Sequence, residues 1–141
     1  MWSSITRRGW VAMLAGTVLV LGAGLVAVVR ADTLPTFVPV DILGMGYLPR
    51  EVTARPGDIV MWTSRDVFLH TVSADATNAV PGGPDSSRKH PAGMLPTDTY
   101  IWVVPSDAAP GTVFYYHCRF RGAPGDGSRM GEGMSGSVTV E

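Results

Sequence analysis

"TVFYYHCRFRGAPGDGSRMGEGMSGSVTV", residues 112–140, is the stretch that decides the fold. Two β-rich runs, Thr112–Cys118 and Ser135–Glu141, flank a Gly-rich segment that has no helical periodicity. Its glycines lie between strands with no helix following, so they read as a flexible loop rather than a phosphate cradle. The stretch also holds Cys118, the only cysteine in the chain. A lone cysteine forms no intrachain disulfide, so it is a buried thiol, an intermolecular bridge or a ligand. Buried thiols are the commonest of these, and the surroundings have to decide.

Upstream the pattern repeats. "FVPVDIL" (Phe37–Leu43) reads as a strand whose Pro39 suits an edge. "REVTA" (Arg50–Ala54) leads through the turn Pro56-Gly57-Asp58 into "IVMWTS" (Ile59–Ser64). "LHTVSA" (Leu69–Ala74) and "TYIWVV" (Thr99–Val104) bring the total to about seven strands. Such runs cut by turn residues are the signature of an all-β sandwich or barrel, and about 110 residues are enough for one two-sheet core. Trp62 is the expected central aromatic, with Tyr100, Trp102, Phe114 and Tyr116 around it. The segment from Asp75 to Thr97 is long for a connection in a compact domain, and is expected to be functional or partly disordered.

The first 31 residues read separately. Arg7 and Arg8 precede Gly9–Val29, an apolar stretch with no charge, and Val29-Arg30-Ala31 offers a small-residue cleavage site. The layout fits a cleaved export signal, the preferred reading, or a membrane tether through residues 9–29 with its basic end in the cytoplasm. "TRRGWV" is also a loose twin-arginine pattern, and a plain basic n-region explains it equally well. Either way residues 32–141 form the domain and lie outside the cytoplasm, periplasmic or secreted. They carry eight basic and twelve acidic residues, a formal charge of −4. A mildly acidic domain without a basic run gives no reason to propose nucleic acid.

Two blocks carry a family resemblance. "YLPREVTARPGDIVMWTSRDVFLHTVSAD" (Tyr47–Asp75) joins a Pro-Gly-Asp turn and a Trp strand to "D-x-x-x-H-T-V". The second block is Thr112–Val140. In this order they resemble the cupredoxins, small blue copper proteins of the plastocyanin and halocyanin kind, which implies an all-β Greek-key β-sandwich. Type 1 copper sites bind through two His and a Cys thiolate, with a weak axial Met. The resemblance implies one copper ion, cycling between Cu(I) and Cu(II), held by His70, Cys118 and Met134. Met134 is preferred to Met130 because "GMSGSVTV" runs straight into the last strand. The implied role is single-electron transport between redox proteins that dock transiently, and not an enzyme activity.

One position departs from the family. The second His is expected three residues after Cys118, and this chain has Arg121. A guanidinium has no lone pair to offer a metal. His117 neighbours Cys118 in a strand and is expected to point to the opposite face. His90, in the long loop, is the one substitute ligand the chain could bring over; otherwise water or an exogenous ligand takes the place. The alternative is a copper-poor or metal-free cupredoxin-like module for storage or protein interaction.

"His117-Cys118" also resembles the arrangement of copper nitrite reductases and multicopper oxidases, but those need several more His than this chain holds. A dinuclear centre needs two Cys in one loop and is excluded. Arg119, Arg121 and Arg129 gather near the loop on an acidic domain, which would steer an acidic redox partner. Pairing with Asp126 and Glu132 is the plainer reading.

Overall fold

The computed structural model describes residues 34–75 and 81–141. The expected export segment, residues 1–31, and the tether within it lie outside the described residues. Among the described residues no helix is long and apolar enough to cross a membrane.

Among the described residues eight strands form two four-stranded sheets. One contains β1 (Phe37–Leu43), β2 (Gly46–Leu48), β4 (Ile59–Ser64) and β6 (Thr99–Val103) in the order β2-β1-β4-β6. The other contains β3 (Glu51–Ala54), β5 (Ser73–Ala74), β7 (Val113–Gly122) and β8 (Gly133–Val140) in the order β3-β8-β7-β5. The sheets are mixed, with β1–β4 and β3–β8 parallel and the other pairs antiparallel.

Two differences from the sequence reading have physical causes. The additional strand β2 follows Gly44 and Met45, both at φ 61°, a pair of left-handed residues that makes a tight two-residue hairpin turn. Met45 is an unusual occupant of such a turn, and its N–H is held by Asp66 Oδ2 at 3.3 Å. The run expected at Leu69–Ala74 is a strand only at Ser73–Ala74, because His70 instead pairs with Met94 in an isolated bridge.

Other features follow the chemistry of the sequence. Pro39 lies in β1 opposite β4, and β2 pairs only with Asp41–Leu43, so the missing N–H falls on an open edge. At the Pro56-Gly57 turn, Gly57 takes φ 87° and Asp58 N–H closes on Arg55 O at 3.0 Å, as a Pro-Gly turn requires.

The core lies between the sheets. Trp62 is fully buried at its centre, stacked on Tyr100 (5.5 Å between centroids) and met edge-on by Tyr116 (5.3 Å). Trp102 and Phe114 extend the cluster edge-to-face at 5.0 Å. Gly136 in β8 lets Tyr116 fit, since a Cβ there would stand 2.7 Å from its ring and from Arg50 O.

Candidate metal centre

His70 lies just beyond β4, in a segment tied down on three sides. Asp66 Oδ1 accepts from Phe68 N–H and Asp66 Oδ2 from Met45 N–H, both at 3.3 Å. Thr71 O accepts from the Tyr47 hydroxyl at 2.6 Å, and Thr71 Oγ1 accepts from Arg119 N–H at 2.9 Å. The last contact fastens the His70 segment beside the middle of β7, next to Cys118. Met94 pairs with His70 on the third side, through N–H···O bonds of 3.3 and 2.7 Å.

The outcome is a fully buried couple. Cys118 Sγ and His70 Nδ1 are 3.9 Å apart, and both residues have no exposed surface. The other ring nitrogen, Nε2, is 3.2 Å from Asp66 Oδ2, close enough for charge attraction but off the line of a hydrogen bond. A proton on Nε2 facing the carboxylate leaves the Nδ1 lone pair facing the thiol. Burial holds the His70 imidazole below its ordinary proton affinity; Asp66 opposes this and the Arg121 charge adds to it. Burial alone would raise the Asp66 carboxyl. Hydrogen bonds from the Met45 and Phe68 N–H groups, with the His70 imidazole beside the carboxylate, outweigh that and hold it below the usual carboxylate range.

The metal loop grows out of a break in the β7–β8 ladder. The two strands pair from Val113↔Thr139 to His117↔Ser135, lose register, and pair again at Gly122↔Gly133. Cys118 and Arg121 lie in the irregular part. Gly122 is required there, since a Cβ would run into the Met134 carbonyl. Met134 follows Gly133 (φ 67°) and is buried in the same core cluster as Cys118. Met130 is half-buried in the loop. Asp75 fixes this loop from beneath: Oδ1 meets His117 Nδ1 at 2.7 Å and Oδ2 accepts from Gly125 N–H at 2.7 Å.

The remaining expected residues fall elsewhere. His117 faces Asp75 and not the thiol. His90 is engaged at both nitrogens, Nε2 with Thr99 O at 3.0 Å and Nδ1 with Asp98 Oδ2 at 3.3 Å, so it is not gathered with His70 and Cys118. Arg121 bends back over the His70 segment. Its Nη1 donates to Leu69 O at 2.9 Å, and its guanidinium carbon lies 4.9 Å from the Phe68 ring centroid. Arg129 pairs with Asp126 at 3.3 Å. Around Arg121 the surface is apolar, with Val67, Phe68, Leu69 and Phe120 lining a shallow recess and Leu95 also exposed.

Among the described residues no three His, Cys, Asp or Glu side chains converge on one point. The expected ligands therefore offer one cysteine sulfur and one imidazole nitrogen side by side, with the Met134 thioether buried in the core. That chemistry suits copper: soft sulfur donors select it and imidazole serves both oxidation states. The spacing agrees. Metal–sulfur and metal–nitrogen bonds of about 2.3 and 2.0 Å at a trigonal angle put the two donor atoms roughly 3.7 Å apart. Three residues in the surroundings carried no sequence signal as site residues: Thr71, which holds the two ligand segments together, Asp75, and Met94.

No protein-family model and no curated protein sequence matches the chain. Solved structures do. A reduced, Cu(I) form of an amicyanin variant at pH 4 is 25% identical, with TM-score 0.51, over 78% of this chain and 87% of that one. The reduced state of another amicyanin variant is 26% identical with TM-score 0.50 over the same shares. An oxidised amicyanin variant is 22% identical with TM-score 0.52. The likeness shows that this chain has the cupredoxin-like fold.

Proposed function

We propose that this cupredoxin-like sandwich is a copper-binding electron carrier, with His70, Cys118 and Met134 holding one copper ion. The observation that carries the reading is the buried Cys118–His70 couple: sulfur and Nδ1 at 3.9 Å, with Nε2 turned to Asp66. The amicyanin likeness supports the same class, since the solved neighbours are described in Cu(I) and oxidised forms.

When bound, the copper supplies reversible one-electron chemistry. The chain's own part is positional. Asp66 keeps the His70 proton on Nε2, Thr71 keeps the two ligand segments in contact, and Asp75 pins the loop that leads to Met134. Water is excluded because Cys118 and His70 are fully buried. The exposed apolar surface of Val67, Phe68 and Phe120 is the proposed docking face for a larger redox protein. Residues 1–31 place the domain outside the cytoplasm, by cleavage or as a tether.

A second reading has its own observation. Arg121 is already satisfied by Leu69 O and Phe68, and it brings a fixed positive charge where a third equatorial donor is expected. That favours a copper-poor module. Equilibrium dialysis of the full chain against copper separates the two. One copper per chain, lost in Cys118→Ser and His70→Ala, supports the carrier; no copper retained by a folded chain overturns it.

A further inference from the structure

We infer that Met94, delivered by the long loop before β6, is a second thioether donor to the proposed copper site and stands in for the absent second imidazole. The inference rests on the copper reading above.

The pairing of Met94 with His70 carries it. Their N–H and C=O groups exchange both hydrogen bonds, at 3.3 and 2.7 Å, which makes them a directly opposed antiparallel pair. In such a pair the two Cα atoms lie about 5.5 Å apart and both side chains leave the same face. The His70 side chain leaves that face toward Cys118 Sγ. The Met94 side chain starts beside it and is fully buried.

The loop is built to hold this position. Ser86 exchanges N–H···O bonds with Val72, two residues past His70: Ser86 N–H to Val72 O at 2.8 Å and Val72 N–H to Ser86 Oγ at 3.0 Å. On the other flank, Thr97 N–H reaches Ser64 O at 2.8 Å and Ser64 N–H reaches Asp98 O at 2.9 Å. Gly93 (φ 113°) lets the loop lie flat against His70, since a Cβ there would be 3.2 Å from His70 O and 3.0 Å from the Phe120 ring. His90, the loop's other donor, is spent on Thr99 and Asp98 and braces the loop instead.

A thiolate, one imidazole and two thioethers form a softer set than a thiolate, two imidazoles and one thioether. Soft donors favour Cu(I). The chain is thereby tuned to hold reduced copper more tightly than the two-imidazole arrangement would.

The test is competition for Cu(I) between bicinchoninate and the full chain in detergent, with Met94→Leu, Met130→Leu and Cys118→Ser. Leu keeps the volume and removes the donor. Loss of an outer partner of a metal ligand already costs about 10–100-fold in affinity. Met94→Leu is therefore expected to weaken Cu(I) binding by at least about tenfold, with Met130→Leu unchanged. Met94→Leu binding like wild type, while both bind more tightly than Cys118→Ser, overturns the role of Met94 and leaves the copper reading standing. Wild type binding no better than Cys118→Ser overturns both. X-ray absorption of the Cu(I)-loaded wild-type chain tests the inference without any variant: three sulfur neighbours are expected, and two overturn it.

Discussion

Arg121 Nη1 donates to the carbonyl of Leu69 at 2.9 Å, so the residue standing where the family resemblance expects a second imidazole is bonded to the residue just before His70, the proposed ligand. The guanidinium thereby covers the His70 segment from outside and adds a positive charge that lowers the proton affinity of the imidazole. It occupies the ligand position without being able to ligate.

Arg121→His removes that charge and supplies an imidazole. Cu(II) affinity is expected to rise by about tenfold or more, the range over which partners of a metal site act. A Cu(II) competition titration checks it. No gain would show that position 121 does not face the metal.

Asp66 acts through His70. Asp66→Asn keeps the size and weakens the pull on the Nε2 proton, so copper affinity of the folded protein should fall by roughly 10–100-fold, with some loss of apo stability beside it. Equal affinity in the two proteins would leave Asp66 as a brace for the Met45 turn only.

Acid should destabilise the metal-free chain in two stages. The folded His70 has its proton affinity lowered from 6.5, so the unfolded chain takes up the proton first as pH falls. That share of stability is present above pH 6.5 and is lost as pH falls toward the lower folded value. The folded Asp66 carboxyl lies below 3.8, so its share is complete above that pH and is lost as pH falls through the lower folded value. Urea midpoints of the apo chain from pH 8 to pH 3 read both stages. His70→Gln should flatten the first stage and shrink the second only in part, since Met45 and Phe68 N–H still hold Asp66; a first stage of unchanged size in that variant contradicts the assignment.

Asp75 joins β5, β7 and the metal loop. Truncation to Ala removes the carboxylate that holds His117 Nδ1 and the Gly125 N–H, each at 2.7 Å. A hydrogen bond to a charged group contributes about 1.5–3 kcal/mol, so a loss of roughly 3 kcal/mol is expected in chemical denaturation. A change below about 1 kcal/mol would mean that the loop is fixed by other contacts.

Much of the sandwich is legible in the sequence because its signals are local. Val60, Trp62 and Ser64 alternate inward along β4, and Pro56-Gly57 declares its turn. Cys118 and His70 are legible as well, through their place in two blocks of familiar order. The β2 hairpin is not, since Gly44-Met45 is poor turn chemistry that Asp66 supports from another part of the chain. Met94 is the plainest case. Nothing near it in the sequence sets it apart from a loop methionine. Its significance comes from a backbone pairing with a residue far upstream, which depends on tertiary packing rather than on periodicity.

The most direct test adds Cu(II), with a mild oxidant, to the full chain and records visible absorption and EPR beside Cys118→Ser. The account predicts an intense thiolate-to-copper band with one copper per chain, absent from the Cys118→Ser protein. A folded wild-type chain with no such band would contradict it. If Arg121→His then produced the band, the fold would be a cupredoxin emptied of copper by that one residue.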